Sequence, residues 1–124
     1  MSLENRAVLV TGAARGIGKE IALTFGRAGA RVAVSYRTNK LGAERVVNEL
    51  RALGAEGWAL ATDVTDPTRV NDLVDAIVRH FGRLDILVNN VGDFEWKPVM
   101  ESTPEEWHAI LASNLFSVFY TCLL

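Results

Sequence analysis

Three glycines follow a short apolar segment near the start of the chain, at a spacing that suits phosphate binding. The segment Ala7–Val10 leads directly into Thr-Gly-Ala-Ala-Arg-Gly-Ile-Gly at Thr11–Gly18. A buried strand that turns through glycines into a helix presents backbone N–H groups to a phosphate. Gly12 allows the sharp turn, Gly16 lets the backbone approach a pyrophosphate, and Gly18 removes a side chain where the helix meets the strand. The segment therefore predicts a dinucleotide site.

The elements that must position this turn alternate between strands and helices. Short apolar segments rich in Val, Leu and Ala predict strands, and apolar residues recur at helical spacing between them. The predicted strands are Ala7–Thr11, Arg31–Tyr36, Gly57–Thr62 and Leu84–Asn89. Because their apolarity is continuous rather than alternating, we expect burial on both faces, as in a parallel sheet. The order βαβαβαβ predicts an α/β fold with helices on both faces of the sheet.

Apolar stripes at helical spacing predict the three connecting helices. The stripes are Ile17, Ile21, Phe25 and Ala28, then Ala43, Val46, Val47 and Leu50, then Val70, Leu73, Val74, Ile77 and Phe81. Gly29, Gly54 and Gly82 stand where these helices should end. Asp66-Pro67 predicts an N-cap followed by proline at the first helical position of the third helix.

A longer helix is predicted to begin at Thr103-Pro104-Glu105-Glu106, a capping box that contains proline. Its stripe consists of Trp107, Ile110, Leu111, Asn114, Leu115, Val118, Phe119 and Cys122. No glycine, proline or closing basic residue stops the helix before Leu124. We interpret Cys122 as a core residue, and we expect the Asn114 amide, on an apolar stripe, to be buried and paired.

Length and composition exclude several classes of protein. The 124 residues predict a single domain, 1–124, and the contents of 49% hydrophobic and 23% charged residues are typical of globular proteins. The net charge of −2, with no basic block, argues against nucleic acid as a partner. No apolar segment approaches the roughly 20 residues that a membrane crossing needs. One cysteine and no signal-peptide pattern favour the cytoplasm, and no cluster of His and carboxylates predicts a metal site.

Together these motifs resemble the classical short-chain dehydrogenase/reductase family, from about Arg6 to the last residue. The family's Thr-Gly-x-x-x-Gly-x-Gly is similar to Thr11–Gly18, and its Asn-Asn-Ala-Gly is similar to Asn89–Gly92. Its acidic and apolar pair after the third strand is similar to Asp63-Val64, and its helical asparagine to Asn114. The resemblance implies a Rossmann-type doubly wound parallel sheet of strand order 3-2-1-4. It also implies a cofactor-binding half that stops before the later strands.

Several site roles follow from the resemblance. The ligand would bind where the first and fourth strands are neighbours, beyond their carboxyl ends. Asp63 would accept a hydrogen bond from the adenine amino group, and Val64 would pack on the ring. Asn90 and Gly92 would line the path to the nicotinamide ribose. A simple turn is the alternative explanation for Asp63 and for the paired asparagines Asn89-Asn90.

The expected cofactor depends on charge at the end of the second strand. Ser35–Lys40 contains no acid that would accept a hydrogen bond from a ribose 2′-OH and repel a 2′-phosphate. Arg37 and Arg15 occupy the two positions where the family holds that phosphate, and guanidinium groups suit a dianion. Ile17, within the glycine motif, completes the expected binding set. We expect NADP(H), with NAD(H) possible; the alternative is that Arg37 is only a solvated loop residue.

The family's catalytic groups are a Ser, a Tyr-x-x-x-Lys on one helix, and the Asn. The tyrosine acts as general acid and base, and i and i+4 side chains are neighbours only on a helix. Tyr36 and Lys40 have this spacing, but Tyr36 ends a strand beside the adenine end, so we reject the pair. Asn114 is the only candidate catalytic residue of the four, and a structural polar contact is its alternative role.

The resemblance implies hydride transfer between nicotinamide and a ketone or secondary alcohol, by a homodimer or homotetramer. We expect the 124-residue chain to be inactive alone and to expose its fourth strand as an apolar edge. The loop Asp93–Lys97 either touches the substrate or is an ordinary surface connection. The alternative function is that of a non-catalytic dinucleotide-binding or regulatory protein.

Overall fold

Four parallel strands form one sheet in the order β3-β2-β1-β4 in the computed structural model, which describes residues 2–123. The strands are β1 Ala7–Val10, β2 Arg31–Tyr36, β3 Gly57–Ala61 and β4 Ile86–Val88. The prediction of a doubly wound α/β sheet with this strand order is confirmed. β1, β3 and β4 end one residue earlier than predicted, because the chain turns away there to form the site described below, and β4 also begins two residues later, at Ile86.

Within residues 2–123, five α-helices connect or follow the strands. They are α1 Gly16–Arg27, α2 Lys40–Ala52, α3 Pro67–Phe81, α4 Pro104–Leu111 and α5 Ser117–Cys122. A short 3-10 turn, Val99–Glu101, precedes α4. None of the helices within residues 2–123 combines the length and the apolar character that a bilayer crossing requires. The chain end at Leu124, where the sequence gives no stop signal, lies outside the described residues.

The long helix predicted from Thr103 onward is interrupted by a π-helical turn at Ala112–Phe116. Polar side chains compete there for the carbonyl groups that regular helical N–H groups would use. The Asn114 amide donates to the Ile110 carbonyl at 3.0 Å, and the Ser117 hydroxyl donates to the Ser113 carbonyl at 2.6 Å. Such bonds shift the backbone pairing and widen the turn.

Alternate residues of the central strand β1 enter two separate cores. Val8 and Val10 pack with α1 and α2 on one face, whereas Ala7 and Leu9 pack with α3 on the other. All four are fully buried. Burial of a Val or Leu side chain stabilises a fold by roughly 1.5–3 kcal/mol. The central strand is thus held from both faces, and the turn at its end starts from a fixed position.

The predicted apolar stripes of α2 and α3 are confirmed, except that Val74 is only half-buried. The stripe of α1 is half right, because Ile21 and Phe25 pack partly buried against the core while Ile17 and Ala28 are exposed. Gly18, Ala22, Leu23 and Gly26 face the core in α1, while Ile17 is 76% exposed. Small residues face inward because α1 packs very close to its neighbours: a Cβ on Gly26 would lie 2.4 Å from the Leu50 side chain. Close packing of this kind reverses the usual preference for large residues inside.

The predicted helix ends are mostly confirmed. Gly29, Gly54 and Gly82 follow the three helices with left-handed φ of 91°, 81° and 81°, and the Asp66 carboxylate accepts from the Thr68 and Arg69 N–H groups. The capping box at Thr103 is half formed. The Thr103 hydroxyl oxygen accepts from the Glu106 N–H at 3.2 Å, whereas the Glu106 carboxylate pairs with Lys97 instead. The three glycines lie at the ends of α1, α2 and α3, and Asp66 and Thr103 lie at the starts of α3 and α4.

Asp85 holds β4 beside β1 at the amino end of the sheet. Its Oδ2 accepts from the Ala7 N–H at 2.8 Å, and its Oδ1 accepts from the Arg83 guanidinium. The Ala7 hydrogen bond, followed by that of Arg83, lowers the pKa of the Asp85 carboxyl below its ordinary value. An ionised carboxylate therefore fixes the register that brings the carboxyl end of β4 next to the glycine turn.

Candidate functional site

A cavity of about 690 Å³ lies beyond the carboxyl ends of the strands. It is bounded by the segments that leave all four strands, which is where open α/β sheets bind ligands. The predicted cofactor-binding residues that line it are Gly12, Arg15, Gly16, Ile17, Arg37, Asp63, Val64, Asn90 and Gly92. Gly18 lies behind the turn, and Asn114 lines an adjoining cavity. The volume of the first cavity, about 690 Å³, falls within the range of about 300–1,000 Å³ that is usual for ligand sites.

The glycine turn has the geometry that its three glycines suggest. Gly12 and Gly16 have left-handed φ of 62° and 60°, and no atom would contact a Cβ on Gly16 within 4 Å. A Cβ on Gly18, in contrast, would lie 2.4 Å from the Asn90 amide nitrogen and 2.6 Å from the Gly12 carbonyl oxygen. Gly18 therefore allows α1 to approach the turn itself and the segment after β4.

Thr11 and Asn90 fasten the end of β4 to the turn. The Thr11 hydroxyl oxygen accepts from the N–H groups of Asn90 at 3.0 Å and Val91 at 3.4 Å. The Asn90 amide donates in return to the Gly12 carbonyl at 3.0 Å. These contacts give Asn90 a structural role at the strand end, as the turn explanation expects. Those contacts also place it on the cavity wall.

We expect Thr11→Val to lower the free energy of unfolding by about 1–3 kcal/mol, because it leaves partly buried N–H groups without an acceptor. Thr11→Ser keeps the hydroxyl and should lose much less. Urea unfolding of both variants measures the difference. Equal losses would mean that Thr11 acts through its methyl group and packing rather than through these hydrogen bonds.

Arg15 and Arg37 line the cavity from two sides. Arg15 is the N-cap residue of α1, with an extended backbone, and Arg37 follows the last residue of β2. Both are exposed. No carboxylate within residues 2–123 forms an ion pair with either guanidinium. Two cationic groups at one cavity are an arrangement that suits a multiply charged anion.

Asp63 ends the wall that follows β3. The Thr65 hydroxyl and N–H both donate to its Oδ1, at 2.6 and 3.0 Å. The Thr65 hydroxyl bond is the main cause of the lowered pKa of Asp63, and the charges of Arg37 and Arg69 act in the same direction. Asp63 is therefore both a turn residue and an ionised acceptor on the cavity wall. Val64 beside it is buried.

Asn114 is exposed, so the prediction that its amide is buried is wrong. The reason is that α4 and the π-helical turn bury no residue: Leu111 and Leu115, near Asn114 in the chain, are exposed as well. The Asn114 Nδ2 donates to the Asp93 carbonyl at 2.8 Å, and its Oδ1 accepts from the Asp93 N–H at 3.3 Å. A Cβ on Gly92 would lie 2.7 Å from that Oδ1. Asn114 thus clamps the backbone where the cavity wall ends.

Cys122 is also exposed rather than part of the core. The side of α5 that is buried carries Ser117 and Thr121 instead. The Thr121 hydroxyl donates to the Asn89 side-chain oxygen at 2.7 Å, and the Asn89 amide faces the Cys122 sulfur at 3.6 Å. Polar contacts to the end of β4, rather than apolar packing, decide which side of this helix faces inward.

Sequence reasoning missed part of the site on the β2–α2 connection. Thr38 and Asn39 line the cavity beside Arg37, and Asn39 caps α2 by accepting from the Gly42 N–H at 3.0 Å. A Cβ on Gly42 would lie 2.6 Å from the Ala14 carbonyl oxygen. The start of α2 therefore packs against the glycine turn. An Asn three residues before a Gly, and three residues after the end of the strand, was the available signal.

Residues 6–124 match the model of the short chain dehydrogenase family. With the glycine turn, the Asn-Asn-Val-Gly segment and the strand order described above, the chain belongs to that family. Versicolorin reductase stcU of Emericella nidulans is 39% identical over 118 residues, 95% of this chain and 45% of that protein. The 3-oxoacyl-[acyl-carrier-protein] reductase FabG of Staphylococcus epidermidis is 40% identical over 115 residues, 93% of this chain and 47% of that protein.

Solved structures agree with this family assignment. A short chain dehydrogenase from Burkholderia cenocepacia, crystallised in complex with NADP, superposes with a TM-score of 0.95 and 36% identity, covering 99% of this chain and 50% of that one. A putative short-chain alcohol dehydrogenase from Sinorhizobium meliloti gives 0.93 and 37%, covering 98% and 48%. The chain spans about half the length of the curated relatives it matches. The family is one of oxidoreductases with a dinucleotide-binding Rossmann fold.

Proposed function

We propose that the chain binds NADP(H) and forms the cofactor-binding part of an oxidoreductase that interconverts a ketone and a secondary alcohol. The observation that carries this proposal is the cavity where a glycine turn at the end of β1 meets Arg15 and Arg37, which form no ion pair with residues 2–123. The nicotinamide ring, when bound, would supply or accept the hydride. The residues of this chain bind and orient the dinucleotide.

The cavity walls fit a dinucleotide in shape and polarity. The open space at Gly16 and the start of α1 suit a pyrophosphate, since helix N-termini attract anions. Asp63 and Val64 offer an acceptor and an apolar contact for an adenine ring, and Ile17 supplies an exposed apolar side chain nearby. We assign Asn90 and Gly92 to the path toward the nicotinamide ribose.

The preference for NADP(H) over NAD(H) rests on Arg15 and Arg37. A 2′-phosphate adds about two negative charges, which guanidinium groups bind through charge-assisted hydrogen bonds. The end of β2 carries no carboxylate that would favour a free 2′-OH: Tyr36 is followed by Arg37, Thr38 and Asn39. The complex of the Burkholderia relative with NADP supports the same choice.

Asn114 is the proposed catalytic contribution of this chain. Its clamp on the Asp93 backbone positions the wall beside the nicotinamide end. The sequence holds no Tyr-x-x-x-Lys other than Tyr36–Lys40, and Lys40 pairs with Glu44 in α2. We therefore expect no turnover by these 124 residues alone. The reductase names of the relatives favour a carbonyl compound as substrate of the whole enzyme.

We further propose that a second copy of the chain covers the apolar side of α4 and α5. Leu111, Leu115 and Phe119 stand there at four-residue spacing and are all exposed. β4 pairs only with β1 within the described residues, so its other edge is also unpaired. An exposed apolar surface of this kind is typical of a protein interface.

Titration calorimetry with the purified chain tests the proposed binding. We expect NADPH to bind, and to bind at least about tenfold more tightly than NADH, because charge-assisted bonds to the 2′-phosphate are absent from NADH. Circular dichroism establishes that the same sample is folded. Folded protein that gives no heat with either coenzyme would refute the proposed function.

A further inference from the structure

A second cavity adjoins the first on the side of Asn114. Its volume is about 330 Å³, and Asp93 lines both cavities. The close contact between Gly92 and the Asn114 side chain marks the boundary between them. The second cavity therefore opens beside the end of the first cavity that we assign to the nicotinamide. Its size is at the lower end of ligand sites and suits one small, compact molecule.

The walls of this second cavity are mainly apolar and partly aromatic. Phe94 and Val99 line it from the loop after β4, and Trp107 and Ile110 line it from α4. The aromatic side chains are available to a ligand, since Phe94 is 76% exposed and Trp107 is 54% exposed. Aromatic rings offer a flat molecule a large contact area with preferred stacking geometries.

The charged groups of the second cavity disfavour an anion. Lys97, the one cation on its wall, has its ammonium 2.9 and 3.0 Å from the two carboxylate oxygens of Glu106. Glu106 raises the pKa of Lys97, and Lys97 lowers the pKa of Glu106, so that both are charged at neutral pH. The remaining charged side chains on the wall, Asp93 and Glu95, are acidic. Acidic side chains close to an anionic ligand repel it and weaken its binding.

We propose that the second cavity binds an uncharged, flat carbonyl compound, an aryl ketone or its alcohol, and rejects the corresponding carboxylates. Phe94 and Trp107 form the contact surface, and the ion pair with Glu106 withholds Lys97 from acidic ligands. The assignment of the ligand's reacting group as a carbonyl rests on the proposed function. The predicted shape and charge preference rest on the cavity alone. This interpretation makes the Asp93–Lys97 loop a substrate contact rather than a plain connection.

A pair of probes with the same shape and different charge tests the preference. We expect para-methylacetophenone to shift the indole N–H signal of Trp107 in NMR spectra of the chain saturated with NADPH. The Trp58 signal is the internal control, because that ring packs against His80 at a centroid distance of 4.3 Å, outside both cavities. We expect para-acetylbenzoate to bind at least about tenfold more weakly than the ketone.

Glu106→Gln is expected to strengthen the binding of para-acetylbenzoate, a result that a misfolded variant would not give. The variant keeps the shape of the side chain but removes the carboxylate that accepts hydrogen bonds from the Lys97 ammonium. We expect the affinity for para-acetylbenzoate to rise about tenfold and that for the ketone to stay unchanged. Adding Lys97→Met to the variant should abolish the gain, because the cation is then gone.

The outcomes separate this inference from the proposed function. Equal affinity of the original chain for the two probes, or no gain in Glu106→Gln, overturns the inference. A response to NADPH without any ketone binding also overturns it and leaves the proposed function intact. Ketone binding without a response to NADPH supports the cavity and refutes the proposed function. Lack of response to both refutes both.

Discussion

Replacing Arg37 with Asp is expected to raise the Kd for NADPH by about ten- to a hundredfold while changing the Kd for NADH by less than about threefold. Hydrogen bonds to charged groups contribute roughly 1.5–3 kcal/mol, and each 1.4 kcal/mol is a factor of ten in affinity. The substitution removes such bonds to a 2′-phosphate and adds a like charge beside it. Arg37 is exposed, so the change should leave the fold intact.

Arg45→Asp is the matched control for Arg37→Asp. Arg45 is an exposed residue of α2 that does not line the cavity, so its reversal tests the effect of net charge alone. At about 0.1 M salt, charges farther apart than roughly 10 Å are largely screened. Calorimetry with both coenzymes on both variants decides the matter. Equal losses of NADPH and NADH affinity in Arg37→Asp would contradict the proposed role of Arg37.

The sheet was predictable because apolar segments and their separators depend on local sequence. Four short runs of Val, Leu and Ala, with glycines after the intervening helices, are enough to predict a parallel α/β sheet. The inward side of α1 was only partly predictable in this way. It depends on how closely α1 approaches α2 and the turn, which makes Gly18 and Gly26 core positions and leaves Ile17 outside.

The candidate site shows the same difference between features set by local sequence and features set by contacts between elements. The sequence placed Gly12, Asn90 and Asp63 at the cavity, because each belongs to a short motif that follows the end of a strand. The π-helical turn that contains Asn114 was not predicted. That turn arises from competition between side chains and backbone for the same carbonyl groups. The spacing of apolar residues does not predict such competition. The ion pair between Lys97 and Glu106 connects a loop to a helix, and the sequence pattern did not predict it either.

Gly18→Ala is expected to lower the free energy of unfolding by about 1–3 kcal/mol, as overpacking does, and to weaken NADPH binding by at least about tenfold. The added methyl group would meet the Asn90 amide nitrogen at 2.4 Å and the Gly12 carbonyl oxygen at 2.6 Å. The Gly12 oxygen belongs to the backbone, and the Asn90 amide is bonded to it. The turn must therefore move, and with it the N–H groups proposed to bind the pyrophosphate.

Gly26→Ala separates loss of stability from loss of the site. Gly26 lies in the same helix, and its added methyl would come equally close, 2.4 Å, to a side-chain carbon of Leu50. A Leu side chain end can move, so this variant should lose stability and keep its NADPH affinity. Urea unfolding and calorimetry at a temperature where both variants are folded make the comparison. If Gly18→Ala loses stability but binds NADPH normally, the glycine turn does not hold the phosphates. If Gly26→Ala loses binding to the same extent, the effect of Gly18→Ala belongs to the helix as a whole.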